Sequence, residues 1–129
     1  MRVTGTFEVK MVPLEPYAST QPPSTLGRMS LDKTFTGPLE ASSRGEMLTG
    51  MTAVKGSAGY VALEKVTGKL EGRSGSFLLQ HFGVMHAGDN RLILEVVPAS
   101  GSGELADLSG KMAIRIEGGV HYYDFDYTL

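Results

Sequence analysis

Tyr60, Glu64 and His81 are the side chains of this chain whose types and spacing could do chemistry. They lie in the segment Gly56 to His81, where aromatic and branched residues alternate between glycine-bearing turns, the pattern of an antiparallel hairpin. If Gly72 and Gly75 flank a two-residue turn, Val66 faces His81 and Glu64 faces Gly83. Glu64 and His81 are then diagonal neighbours, with Cβ atoms roughly 5 to 8 Å apart. A carboxylate next to an imidazole can orient the ring and equip it as a general acid or base. The same pair has a plainer use, in which two buried polar groups satisfy each other by a hydrogen bond. Both readings stand on the sequence.

The register gives these residues neighbours. Tyr60, Ala62, Glu64 and Val66 share a face with Phe77, Leu79, His81 and Met85. If Lys55-Gly56 is a second two-residue turn, Met47, Thr49 and Met51 join that face, with Met47 opposite Glu64. Met47, Met51, Phe77 and Leu79 then surround the polar trio. A mostly apolar wall with a few convergent polar groups is the composition of a small-molecule cavity. A bulge at Gly59 or Gly68 would swap the faces. The opposite face carries Leu48, Val61, Leu63, Leu78, Phe82 and Val84, with Glu46 opposite Lys65 as a surface ion pair. Apolar residues on both faces imply burial on both sides. The outer face is therefore expected to meet another copy in a homo-oligomer or to lie under the Pro13 to Gly27 segment.

Other chemistries find little support. There is no cysteine, so disulfides, thiolate zinc sites and cysteine nucleophiles are excluded. His81 and His86 fall on opposite faces of a regular strand, and neither His-x-His nor a calcium-loop spacing occurs, so no metal is expected. The glycines of Gly101 to Gly110 lack the Lys-Ser/Thr of a phosphate loop and read as a chain reversal, and no motif asks for a cofactor. Ser74 and Ser76 sit in no nucleophile elbow. Asp124 and Asp126 read as a solvated face opposite Tyr123, Phe125 and Tyr127.

Strand signals recur almost end to end: Val3 to Val12, Arg28 to Thr36, Leu39 to Ala53, Gly59 to Leu70, Ser76 to Met85, Arg91 to Val97, Lys111 to Glu117 and His121 to Leu129. In the second of these Met29, Leu31 and Phe35 share a face, with Lys33 between them. Pro13 to Gly27 holds four of the six prolines and reads as a long loop or flap, and Glu104 to Leu108 as one helical turn. About eight strands joined by short turns, with no crossover helices, call for an antiparallel up-and-down sheet that closes into a barrel to protect its edges. The 17 glycines among 129 residues disfavour helix, and the length suits one domain spanning 1–129. A formal net charge of −2 without a basic stripe argues against nucleic acid. The start has no apolar core of signal-peptide length and no run approaches a membrane span, so a soluble, cytoplasmic protein is expected.

The stretches Gly56 to Glu64, Gly72 to His81, Val97 to Leu105 and His121 to Leu129 resemble a family of small bacterial proteins of unknown function. That family is in turn similar to the allene oxide cyclase-like barrels, a superfamily that includes the dirigent proteins. The glycine-rich segment that precedes the last hairpin in that superfamily reads here as Gly101 to Gly110, with Asp107 in place of one glycine. The resemblance implies an eight-stranded barrel with a central cavity, often in an oligomer, and carries no cyclase residue onto this chain. The expected function is to bind a small apolar or amphipathic molecule in the lumen, with Tyr60, Glu64 and His81 orienting it and Pro13 to Gly27 gating the mouth. The alternatives are a packed barrel acting through an oligomer or partner interface, and a cyclase- or isomerase-like enzyme.

Overall fold

The structure, a computed structural model, describes residues 1–129. Eight strands follow in chain order: β1 (Arg2–Leu14), β2 (Thr25–Thr36), β3 (Leu39–Met51), β4 (Ala58–Leu70), β5 (Arg73–His86), β6 (Asp89–Val96), β7 (Ser109–Glu117) and β8 (Val120–Thr128). Each pairs antiparallel with the next, and β8 returns to β1, so the sheet is a closed up-and-down barrel. The joints are unequal: β6 and β7 meet at the single pair Glu95↔Lys111. No helix is long and apolar enough to cross a membrane.

Alternation of side chains sorts the strands into an inner and an outer wall. On β4, Ala62, Glu64 and Val66 are buried while Val61 and Leu63 are exposed. The inner wall differs between the barrel's two ends. At the end where β1 begins, Phe7, Phe35, Leu39, Leu70, Phe77 and Phe125 fill the lumen. Phe77 stacks on Phe125 at 6.0 Å, and Tyr123 meets Phe35 edge-on at 5.8 Å. A 3-10 turn, Gly103–Leu105, plugs this end with Leu105. The plug lies so close to β5 that a Cβ on Gly75 would stand 2.1 Å from the Ser102 carbonyl oxygen, so only glycine fits there. Tyr123 fastens the β2–β3 corner: its hydroxyl accepts from the Leu39 N–H (2.9 Å) and donates to the Thr36 carbonyl (3.2 Å).

Several expectations need correction. The β4–β5 turn is Glu71-Gly72, both at positive φ (47° and 83°), the geometry that suits a two-residue hairpin, and not Arg73-Ser74. Glu64 therefore faces Leu79, Val66 faces Phe77, and Ala62 faces His81. Lys55-Gly56 is part of a longer connection, so Met47 faces Ala62. Glu46 faces Leu63 and pairs with Arg28, not with Lys65. Both registers slip by an even number of residues, so every side chain keeps its expected wall. Pro13 and Leu14 extend β1, and Thr25 to Gly27 extend β2, which shortens the expected flap to 15–24. Tyr17 within it is fully exposed, and Leu48, Val61, Leu63 and Phe82 stay exposed, so this segment does not cover that outer apolar row. The expected helical turn is displaced to the 3-10 turn, and Asp124 and Asp126 pair on the surface with Arg115 and Arg2.

Replacing Tyr123 with Phe strands the buried Leu39 N–H. Urea denaturation is expected to show a loss of about 1–3 kcal/mol with the barrel spectrum retained.

Candidate functional site

Four polar side chains are buried in this protein, Lys33, Ser43, Glu64 and His81, and they meet in the middle of the lumen. Inward positions on β2, β3, β4 and β5 supply one each: Lys33 faces Ser43, and Glu64 is diagonal to both Ser43 and His81. Lys33 Nζ donates to Glu64 Oε2 at 2.8 Å, and Ser43 Oγ donates to Oε1 at 2.7 Å. His81 Nε2 also bonds Oε2. The ammonium of Lys33 lies 5.1 Å from the ring centre of Phe7 and 5.9 Å from that of Phe35, a cation–π cradle at the top of the packed core.

Burial alone would raise the Glu64 carboxyl. The His81 bond, the charge and hydrogen bond of Lys33 and the Ser43 bond outweigh it and hold the carboxyl at about 2. An ionised carboxylate only accepts, so the proton in the Glu64–His81 bond belongs to Nε2. When the ring is neutral, His81 Nδ1 then carries the lone pair. It bonds no protein group, yet no fully buried polar side-chain atom lacks a partner, so Nδ1 retains some accessibility on the inner wall. Tyr60 stands beside it, its ring centre 6.3 Å from that of His81. Gly83, opposite Tyr60, makes room for this ring, since a Cβ there would fall 2.2 Å from Tyr60 Cε1. Burial, then the charge of Glu64, raises the Tyr60 hydroxyl above its ordinary value and keeps it neutral.

Above this layer the lumen opens. Met11, Met29, Met47, Met51 and Met85, five of the seven methionines, occupy inward positions toward the open end. Met51 is 51 % and Met85 38 % exposed despite pointing inward, which makes the upper lumen an open cup. Five surface cavities, from 310 to 610 Å³, lie on the outer wall or beside the β6–β7 joint. The largest is lined by Glu46, Leu48, Val61, Leu63 and Gln80.

The structure thus gathers Tyr60, Glu64 and His81 as expected, with Met47 on the same wall and Met51 at the rim. Phe77 and Leu79 lie in the packed core below, 1 % and 0 % exposed, and do not line the cup. Lys33 and Ser43 are the members that sequence reasoning missed. The signal for Lys33 was its place between Leu31 and Phe35 on one face of β2.

A family model described as a protein of unknown function, DUF3224, matches residues 3–127. The chain belongs to the DUF3224 family. This DUF3224 chain is similar to a crystal structure of another DUF3224 protein of unknown function, from Shewanella oneidensis MR-1. The two share 62 % identity over 100 % of this chain and 96 % of that one, with a TM-score of 0.97. Comparison with the curated proteins finds no match.

Glu64 gives this DUF3224 barrel an acid-sensitive lock. Its carboxyl lies at about 2 in the fold against an ordinary 4.5. A depressed carboxyl stabilises the fold above the unfolded value and loses that contribution as pH falls from about 4.5 through 2. The difference corresponds to about 3 kcal/mol. Denaturant titrations are expected to show that loss between pH 5 and 2, and to show it greatly reduced in Glu64→Gln, which is less stable at pH 7.

Proposed function

We propose that the upper lumen binds a small apolar or amphipathic molecule, oriented at its floor by His81 and Tyr60. The observation that carries this reading is the free Nδ1 of a buried histidine at the bottom of an open, methionine-lined cup. A few polar groups held at the end of an apolar recess are how a binding site fixes the polar end of a ligand. Methionine suits the walls, because its unbranched, polarisable side chain adapts to ligands of differing shape. In this reading Lys33 and Ser43 hold Glu64, Glu64 holds His81, and the packed lower core holds them all. The Glu64–His81 pair is also what a cyclase- or isomerase-like enzyme would use for proton transfer. That reading and the kinship with allene oxide cyclase-like barrels rest on the sequence resemblance alone.

A second reading concerns the outer wall. Leu48, Val61, Phe82 and Ile93 lie side by side at matched register on β3 to β6, each 43–56 % exposed. The occupant that fits is a second copy of the chain. Arg91 and Glu95 flank Ile93 on the same face of β6, so a two-fold axis along the apolar row sets each arginine against the other copy's glutamate. Such a self-complementary patch would give a homo-oligomer, and the protein would then act through that interface.

The neutral dye N-phenyl-1-naphthylamine tests the first reading. Its fluorescence is expected to rise on binding, with affinity falling about tenfold in Met47→Glu and unchanged in Val61→Glu. The reverse pattern would place the dye on the outer wall and refute lumen binding. Light scattering tests the second: the wild type is expected to be a dimer or larger and Phe82→Asp a monomer, while a monomeric wild type removes that reading.

A further inference from the structure

We propose that the cup selects an apolar molecule bearing one O–H group at least as acidic as an imidazolium, a carboxylic acid or an acidified enol or phenol, which gives its proton to His81 Nδ1. The inference rests on the lumen reading above and adds the chemical class of the ligand.

The charges on the inner wall decide it. The ionisable groups facing this layer are Lys33 from β2, Tyr60 and Glu64 from β4, and His81 from β5. The inward side chains of β1, β6 and β7 beside it, including Val9, Leu92, Leu94 and Ile114, are apolar. His121 of β8 is inward as well, but its ring packs on Phe7, 5.2 Å away. Lys33 and Glu64 cancel, so the layer is neutral while the His81 ring is neutral. In a recess walled by apolar side chains, an unbalanced charge is expensive.

Three kinds of ligand can be weighed against that balance. An ammonium group can donate to Nδ1 but leaves one uncompensated positive charge. An ester or ether has nothing to donate, and faces the Nδ1 lone pair without a bond. An acid satisfies both conditions. Its O–H bond breaks, an Nδ1–H bond forms, and the electron pair stays on the ligand oxygen as an anion that accepts a hydrogen bond from Nδ1. The result is an unbroken alternation of Lys33 cation, Glu64 anion, His81 cation and ligand anion, with no net charge. Glu64 enables the transfer because it already holds Nε2 and stabilises the imidazolium that forms. The uncharged Tyr60 hydroxyl next to the ring can donate to the second lone pair of the ligand oxygen.

Matched probes test this: 4-nitrophenol against its methyl ether, and hexanoic acid against methyl hexanoate. The wild type is expected to bind each acid about tenfold or more tightly than its methyl derivative, the worth of a charge-assisted hydrogen bond. In His81→Gln, which keeps a donor for Glu64 but no basic nitrogen, the preference is expected to vanish. Nitrogen-15 NMR of the wild-type imidazole gives a readout independent of any variant. On binding acid, Nδ1 should move from the shift of an unprotonated to that of a protonated ring nitrogen. Equal affinity for acids and methyl derivatives, or an unprotonated Nδ1 in the complex, overturns this inference and leaves the lumen reading standing. Failure of all four probes, together with failure of the dye in the cup, overturns both.

Discussion

The buried carboxylate of Glu64 is the constraint around which the barrel is organised. An ionised group with no access to water is tolerable only when its lone pairs are taken up. Here three neighbouring strands each contribute a donor, from Lys33, Ser43 and His81. The cluster therefore cross-links β2 to β5 on the inside, where backbone hydrogen bonds link them only edge to edge. It also specifies register. A one-residue slip of any of these strands would turn its polar member outward and leave a charge without a partner. Such a cluster is weak evidence for net stability, because hydrophobic packing of the same volume would avoid the desolvation cost.

The cluster marks a border within the lumen. On one side aromatic rings and the Leu105 plug leave a dense core. On the other the inward residues become methionines, and the wall is open to solvent. Lys33 belongs to both sides, with its charge on Glu64 and its ammonium over two phenylalanine rings. The cluster thus sits on a dense aromatic base below a rim of flexible methionines.

Much of this was legible in the residues. The strands and their order followed from alternation and turn residues, and the faces of Tyr60, Glu64 and His81 followed from parity. The registers did not. Glu71 adopts a backbone conformation that non-glycine residues seldom take, so the glycines on either side of Arg73-Ser74 offered a more obvious turn than the real one. Parity survived because both slips were even. Lys33 escaped notice because a lysine in an apolar stripe reads as an interruption until its carboxylate partner, 31 residues away, is seen against it. Phe77 and Leu79 were assigned to the ligand wall because sequence alternation gives a residue's face but not its height along the barrel axis. The outer wall's apolar character was visible, whereas its lack of cover depended on where the proline-rich segment goes.

The sparse joint between β6 and β7 gives the cylinder the mechanics of a split ring. Its circumference can yield there, at one pair of residues, while β2 to β5 remain clamped from within by the ion cluster. Girth and cluster geometry are thereby uncoupled: the open end can widen without disturbing the hydrogen bonds that hold Glu64.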